Sequence, residues 1–79
     1  MLNKMEKTYS FSRMLVDGVV SHRSSLPGDT LLTIYSLNEC HYAVYTNSVS
    51  SKIIRKQIIS EKEMTLLKSV YPMQNKIKI

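Results

Sequence analysis

Cysteine is almost absent from this sequence of 79 residues, which contains only Cys40. An intramolecular disulfide is therefore excluded, and because a lone thiol is typical of a reducing compartment, we expect a cytoplasmic protein. The other soft metal ligands are His22 and His41, and no Cys-x-x-Cys or His-x-x-x-His spacing occurs. Cys40 and His41 are adjacent and would point to opposite faces of a strand. The sequence predicts no metal site and no cofactor.

Glycine is equally scarce, and the two that are present, Gly18 and Gly28, each lie where a turn is expected. A glycine-rich phosphate-binding loop is thereby excluded. A nucleophilic site would need Cys40 or a serine beside a histidine and an orienting acid, and the spacing along the chain does not predict that arrangement. We expect a protein that is not an enzyme.

Long apolar runs are also lacking, since no segment approaches the roughly 18 apolar residues of a membrane span. The first ten residues lack the apolar stretch of a secretory signal. We expect a single domain over residues 1–79, without membrane contact, in which residues 72–79 form a flexible basic tail or a short added strand. A domain of this size buries only about 60–65% of its unfolded surface, so a homo-oligomer or a bound partner would add stability.

The first third of the sequence alternates strand formers with turn residues. Residues 8–16 predict a strand, because their apolar side chains fall largely on alternate positions. The Asp17-Gly18 pair that follows predicts a β-hairpin with a type I′ turn. Pro27-Gly28 predicts a type II turn.

Two further strands are predicted over residues 30–37 and 40–46, with a turn at Asn38-Glu39. Both strands carry apolar side chains on both faces, which predicts that they form the centre of the sheet or that the sheet is covered on both sides. Residues 52–59 fit either a helix or a strand, and their isoleucines favour a strand.

The best-marked element is a helix over residues 61–71. Ser60 and Glu63 have the spacing of a capping box, and Pro72 ends the helix. The predicted fold class is α+β: a small antiparallel sheet of about four strands with one C-terminal helix packed on a face.

The start of this helix resembles the first helix of LuxR-type helix-turn-helix domains. In that family an apolar residue, a Thr or Ser cap and a glutamate precede an apolar pair, as Ile59, Ser60, Glu61 and Leu66-Leu67 do here. The resemblance covers about a dozen residues and is shared by well-capped amphipathic helices in general. No recognition helix follows in the sequence, so we expect no reading of DNA by that route.

The net charge of +5 lies entirely in the second half of the chain. Residues 1–40 contain equal numbers of acidic and basic side chains, whereas residues 41–79 contain seven basic and two acidic ones. This asymmetry favours an anionic partner, and net charge also serves solubility. The candidate binding residues are the basic side chains Lys52, Arg55, Lys56, Lys62 and Lys68.

The charge pattern leaves two hypotheses for the function. The first is a small non-enzymatic regulatory protein whose basic C-terminal half contacts the phosphates of nucleic acid. Tyr35, Tyr42 and Tyr45 would stack on bases if they faced outward, and packing in the core is the alternative. The second is an inhibitor or adaptor, of the kind that phages and plasmids encode, that binds an acidic surface of a host or partner protein.

Overall fold

A four-stranded antiparallel sheet carries a helix on each of its two faces. The computed structural model describes residues 8–72. The strands pair in chain order, each antiparallel to the next. This arrangement, with a helix after the last strand, is the predicted α+β fold. The elements in chain order are α1 (Phe11–Asp17), β1 (Val19–Leu26), β2 (Thr30–Leu37), β3 (Cys40–Asn47), β4 (Ile53–Ile59) and α2 (Glu61–Val70).

Helix α1 replaces the strand and hairpin that were predicted at the start of the chain, and that prediction was wrong. The backbone N–H of Arg13 donates to Ser10 Oγ at 3.2 Å, so Ser10 caps the helix. Met14 faces the sheet and is completely buried. Gly18 has a φ of −74° and donates its N–H to Met14 O. The Asp17-Gly18 pair therefore ends a helix, and Gly18 does not adopt the positive φ of a type I′ turn.

The turns on either side of β2 match their predictions. Gly28 has a φ of 80°, the left-handed conformation that the third residue of a type II turn requires. Asn38 has a φ of 57° in the two-residue connection between β2 and β3. The Asn38-Glu39 turn sets the register in which Leu37 pairs with Cys40 and Thr30 pairs with Asn47.

Strands β2 and β3 lie at the centre of the sheet, as predicted, and both of their faces are covered. A core on the α2 side and a second core on the α1 side are separated by the sheet. The buried residues of the α2-side core are Leu32, Ile34, Ala43, Ile59 and Met64. Those of the α1-side core are Met14, Cys40, Tyr42 and Val44.

The segment after β3 folds as the isoleucines predicted, because residues 53–59 form strand β4. Helix α2 begins at the predicted capping box: Glu63 N–H donates to Ser60 Oγ at 3.1 Å, and Ser60 N–H donates to Glu63 Oε1 at 2.9 Å. The helix ends with Tyr71 as its C-cap, one residue earlier than predicted. The tail predicted for residues 72–79 lies outside the described residues from position 73 onward.

Candidate binding surface along strand β4

Strand β4 forms one edge of the sheet, and in the described part of the chain it pairs only with β3. Six of its seven residues, from Ile53 to Ile58, are exposed, and only Ile59 is buried. Lys52 directly precedes the strand, and Lys62 lies in the first turn of α2, three residues after the strand ends. Four of the five predicted binding residues therefore lie in β4 or at its two ends.

Lys68 does not belong to this group. It lies in the last turn of α2, about 9 Å along the helix axis from Lys62. The helix crosses the sheet toward the opposite edge, because His22 Nε2 of β1 lies 2.7 Å from Tyr71 O at the helix end. The sequence grouped Lys68 with the others by charge alone, and the structure separates it from them.

Arg55 and Lys56 point to opposite faces of the sheet. Arg55 pairs with Tyr45 of β3, and its guanidinium carbon lies 4.9 Å from the centre of the Tyr45 ring on the α2 side. Lys56 pairs with Val44, and its Nζ lies 5.0 Å from the centre of the Phe11 ring in α1. Each cation is held over an aromatic face, which is worth about 0.5–1 kcal/mol at an exposed site. The two positive charges thus flank the open edge of β4.

Exposed isoleucines accompany these cations. Ile53, Ile54 and Ile58 have exposed fractions of 47%, 58% and 50%. Ile58 pairs with Tyr42, whose side chain belongs to the α1-side core, so Ile58 lies on the same face as Lys56. We call the surface formed by the cations Lys52, Arg55, Lys56 and Lys62 together with Ile53, Ile54 and Ile58 the β4 surface.

The acidic residues beside the β4 surface are engaged in structural contacts. Glu61 Oε1 lies 2.9 Å from His41 Nε2, and Glu63 Oε1 accepts the backbone N–H of Ser60. These contacts hold both carboxylates at the start of α2. The four cations of the β4 surface form no ion pair with an acid in the described part of the chain.

Tyr35, Tyr42 and Tyr45 pack in the cores and do not face outward for stacking on bases. Tyr42 is buried and donates its hydroxyl proton to Tyr9 O at 2.8 Å. Tyr35 packs against the α1-side core and Tyr45 against the α2-side core. These three side chains therefore do not form the exposed aromatic sheet face that sheet-based RNA binders use.

A polar network beneath α2 was missed by the sequence reasoning. His41 is 5% exposed, with Nδ1 at 2.6 Å from Ser36 Oγ and Nε2 at 2.9 Å from Glu61 Oε1. Ser36 Oγ also lies 3.1 Å from Ser21 Oγ. The two-residue turn places Ser36 directly opposite His41, so the turn prediction contained the signal for this contact.

The network has the residue types of a serine hydrolase, and its contacts link the sheet to helix α2. The Ser36 hydroxyl already contacts two side chains, and Met64 Sδ lies 3.9 Å from it. The nearby surface hollow does not include Ser36. It is lined by Glu61, Lys62, Thr65, Leu66 and Ser69. The network joins β1, β2, β3 and α2 and fixes the start of α2 beside β4.

The soft metal ligands are dispersed. Cys40 belongs to the α1-side core, whereas His41 lies beneath α2, so the adjacent pair does point to opposite faces. Among residues 8–72 no group of three or more His, Cys, Asp or Glu side chains is placed to hold a metal ion. Neither described helix has the length and apolar character needed to cross a membrane.

Comparison of the chain with protein-family models, curated proteins and solved structures gave no significant match. We therefore infer the function from the geometry of the β4 surface.

Proposed function

We propose that this protein is a small non-enzymatic binding protein that holds an anionic macromolecule against the β4 surface. The observation that carries the proposal is the placement of Arg55 and Lys56 on the two sides of an open sheet edge. A ligand that lies along this edge meets a cation on each side. Lys52 and Lys62 extend the positive charge beyond the two ends of the strand.

In the described part of the chain no acidic side chain forms an ion pair with these cations, and the carboxylates of Glu61 and Glu63 contact His41 and the helix cap instead. Such exposed cations attract anionic ligands over a distance of about 8–10 Å at moderate ionic strength. Two classes of partner meet this requirement: nucleic acid, which supplies phosphates, and an acidic segment of another protein.

Fluorescence anisotropy tests the proposal. The labelled probes are a single-stranded DNA, a single-stranded RNA and polyglutamate, each measured at about 25 mM and about 150 mM salt. We expect at least one probe to bind at the lower salt concentration and to bind more weakly at the higher one, because part of the affinity comes from charge. The absence of binding by all three probes at low salt would overturn the proposal.

A matched pair of variants separates the β4 surface from net charge. The double variant Arg55→Gln and Lys56→Gln removes two charges from the surface. The double variant Arg13→Gln and Arg23→Gln removes two charges from α1 and β1 and leaves the same net charge. We expect the first to weaken binding at least about tenfold and the second less than about threefold. An equal loss in both variants would show that only net charge matters.

A further inference from the structure

We infer that the partner of the β4 surface is an extended acidic segment of another protein, which docks as a fifth strand along β4. This inference rests on the proposed function and names the partner that the same surface takes. Its basis is the combination, on one strand, of an unpaired backbone edge, flanking cations and exposed isoleucines.

The backbone edge of β4 can accept an added strand. An edge strand offers a row of unpaired N–H and C=O groups, and an added strand forms its main-chain hydrogen bonds there. In the described part of the chain, the outer side of β4 has no neighbouring strand. Seven residues give the length of a typical strand partner. Nucleic acid has no peptide backbone with which to continue the sheet.

The side chains on the two faces of β4 specify the pattern of the added strand. Arg55 projects on the α2 side, whereas Lys56 and Ile58 project on the α1 side. Side chains of an added strand alternate between the same two faces. An acidic residue on the α2 side would meet Arg55, and an apolar residue on the α1 side would cover Ile58. On the α1 side an acidic residue would also meet Lys56, so the matching ligand carries acidic residues on both faces and an apolar residue opposite Ile58.

Charge disfavours a second copy of β4 and the chain's own last residues as the added strand. Pairing β4 with the β4 strand of a second copy brings the cations of both strands together, and like charges across a strand pair are destabilising. The chain's own last residues include Lys76 and Lys78, which have the same sign as the edge. Lysines and bulges commonly protect edge strands from unwanted pairing. Strand β4 has a bulge opposite Tyr45 and Thr46. The positive charge that repels a basic strand attracts an acidic one.

The experiment compares four probes of the full chain. The first is a labelled peptide of about eight residues, the length of an ordinary strand, that has glutamates on both faces and a valine to meet Ile58. In the second and third probes every other backbone amide of the same peptide is methylated, and the two probes differ in which alternate amides carry the methyl groups. Each methylated peptide can therefore donate hydrogen bonds from only one of its two edges. The fourth is a single-stranded oligonucleotide. Anisotropy gives the affinities, and amide hydrogen exchange locates the bound peptide.

We expect the unmethylated peptide to bind and to protect amides of β4 from exchange, while the amides of β1 at the other edge are unchanged. One methylated peptide should bind at least about tenfold more weakly, because its docking edge has lost its donors, and the other should remain within about threefold. Equal binding of all three peptides, or protection centred outside β4, would overturn the inference.

The outcomes also distinguish this inference from the proposed function. If the oligonucleotide binds through Arg55 and Lys56 and the peptides do not bind, the fifth-strand inference is wrong and the proposed function stands. If the peptides, the oligonucleotide and the RNA and polyglutamate probes all fail to bind at low salt, both are wrong.

Discussion

Two serines on the α2 side of the sheet differ in whether their hydroxyls have a partner. Ser24 Oγ is buried and has no hydrogen-bond partner in the described part of the chain, whereas Ser36 Oγ contacts His41 Nδ1 at 2.6 Å. A buried hydroxyl without a partner costs about 1–3 kcal/mol. We expect Ser24→Ala to raise the free energy of unfolding by about 1 kcal/mol and Ser36→Ala to lower it by about 1 kcal/mol. Urea unfolding measures both, and changes of the same sign would contradict this account.

His41 is the residue through which β3 holds the start of α2. Its buried ring contacts Ser36 and Glu61, so His41→Ala loses two hydrogen bonds and leaves a cavity. We expect a loss of about 2–4 kcal/mol in the free energy of unfolding. Glu61→Gln is the control: the glutamate side chain is 72% exposed, and the amide oxygen still accepts from His41, so the change should stay below about 0.5 kcal/mol. Equal losses would show that the network does not anchor the helix.

For individual residues, the sequence identified most of the residue types of the β4 surface and few of their contacts. The cations at positions 52, 55, 56 and 62 were found from charge alone. The opposite directions of Arg55 and Lys56 depend on the strand assignment of residues 52–59, which the sequence left open. The contact between Ser36 and His41 follows from hairpin register, and it was missed because histidine was considered only as a metal ligand or a catalytic base.

At the scale of elements, helix α2 depends on its capping box. Ser60→Ala removes the hydroxyl that accepts from the N–H of Glu63, and loss of an N-cap costs about 1 kcal/mol. The control is Ser69→Ala, because Ser69 is exposed near the other end of the helix and a change there should stay within about 0.5 kcal/mol. Thermal unfolding followed by circular dichroism compares the two. A Ser60→Ala protein as stable as the wild type would show that the cap contributes nothing.

Helix α1 ends at a glycine for a steric reason. A Cβ on Gly18 would lie 2.4 Å from Met14 O, so Gly18→Ala forces the helix end to shift. We expect a loss of about 1–3 kcal/mol in the free energy of unfolding, together with reduced helical signal in the far-ultraviolet.

The companion variant Gly28→Ala meets no atom within 4 Å, but it would place an alanine at a φ of +80°. It should cost about 1–2 kcal/mol without loss of helical signal, because the strain lies in a turn. Loss of helical signal in Gly28→Ala but not in Gly18→Ala would contradict the assigned role of Gly18.

The elements that were predicted correctly are those on which several local signals agree. Strand β2 and helix α2 are each bounded by turn or cap residues and have a consistent apolar pattern. Residues 11–17 were assigned wrongly because Phe11 and Leu15 fit an alternating pattern, whereas Phe11 and Met14 also fit one face of a helix. The Ser10 cap and the burial of Met14 decide for the helix, and that burial depends on a sheet built from residues far along the chain.

For the whole molecule, the order of the strands decides which charges become a binding surface. The meander places β4 at an edge, and α2 then crosses back over the sheet to His22 in β1. Charge asymmetry along the sequence predicted an anionic partner, but it could not separate Lys68 from the other four cations or reveal the open edge between Arg55 and Lys56. Both features arise only when the strands are assembled.

We propose that an anionic partner lies along the β4 surface. Amide chemical-shift mapping of the ¹⁵N-labelled protein with polyglutamate and with single-stranded DNA tests it most directly, because the position of the ligand is observed residue by residue. We expect the largest shifts on residues 52–62 and small shifts in α1 and β1. Shifts centred on α1 or β1, or spread evenly over all exposed cations, would contradict it.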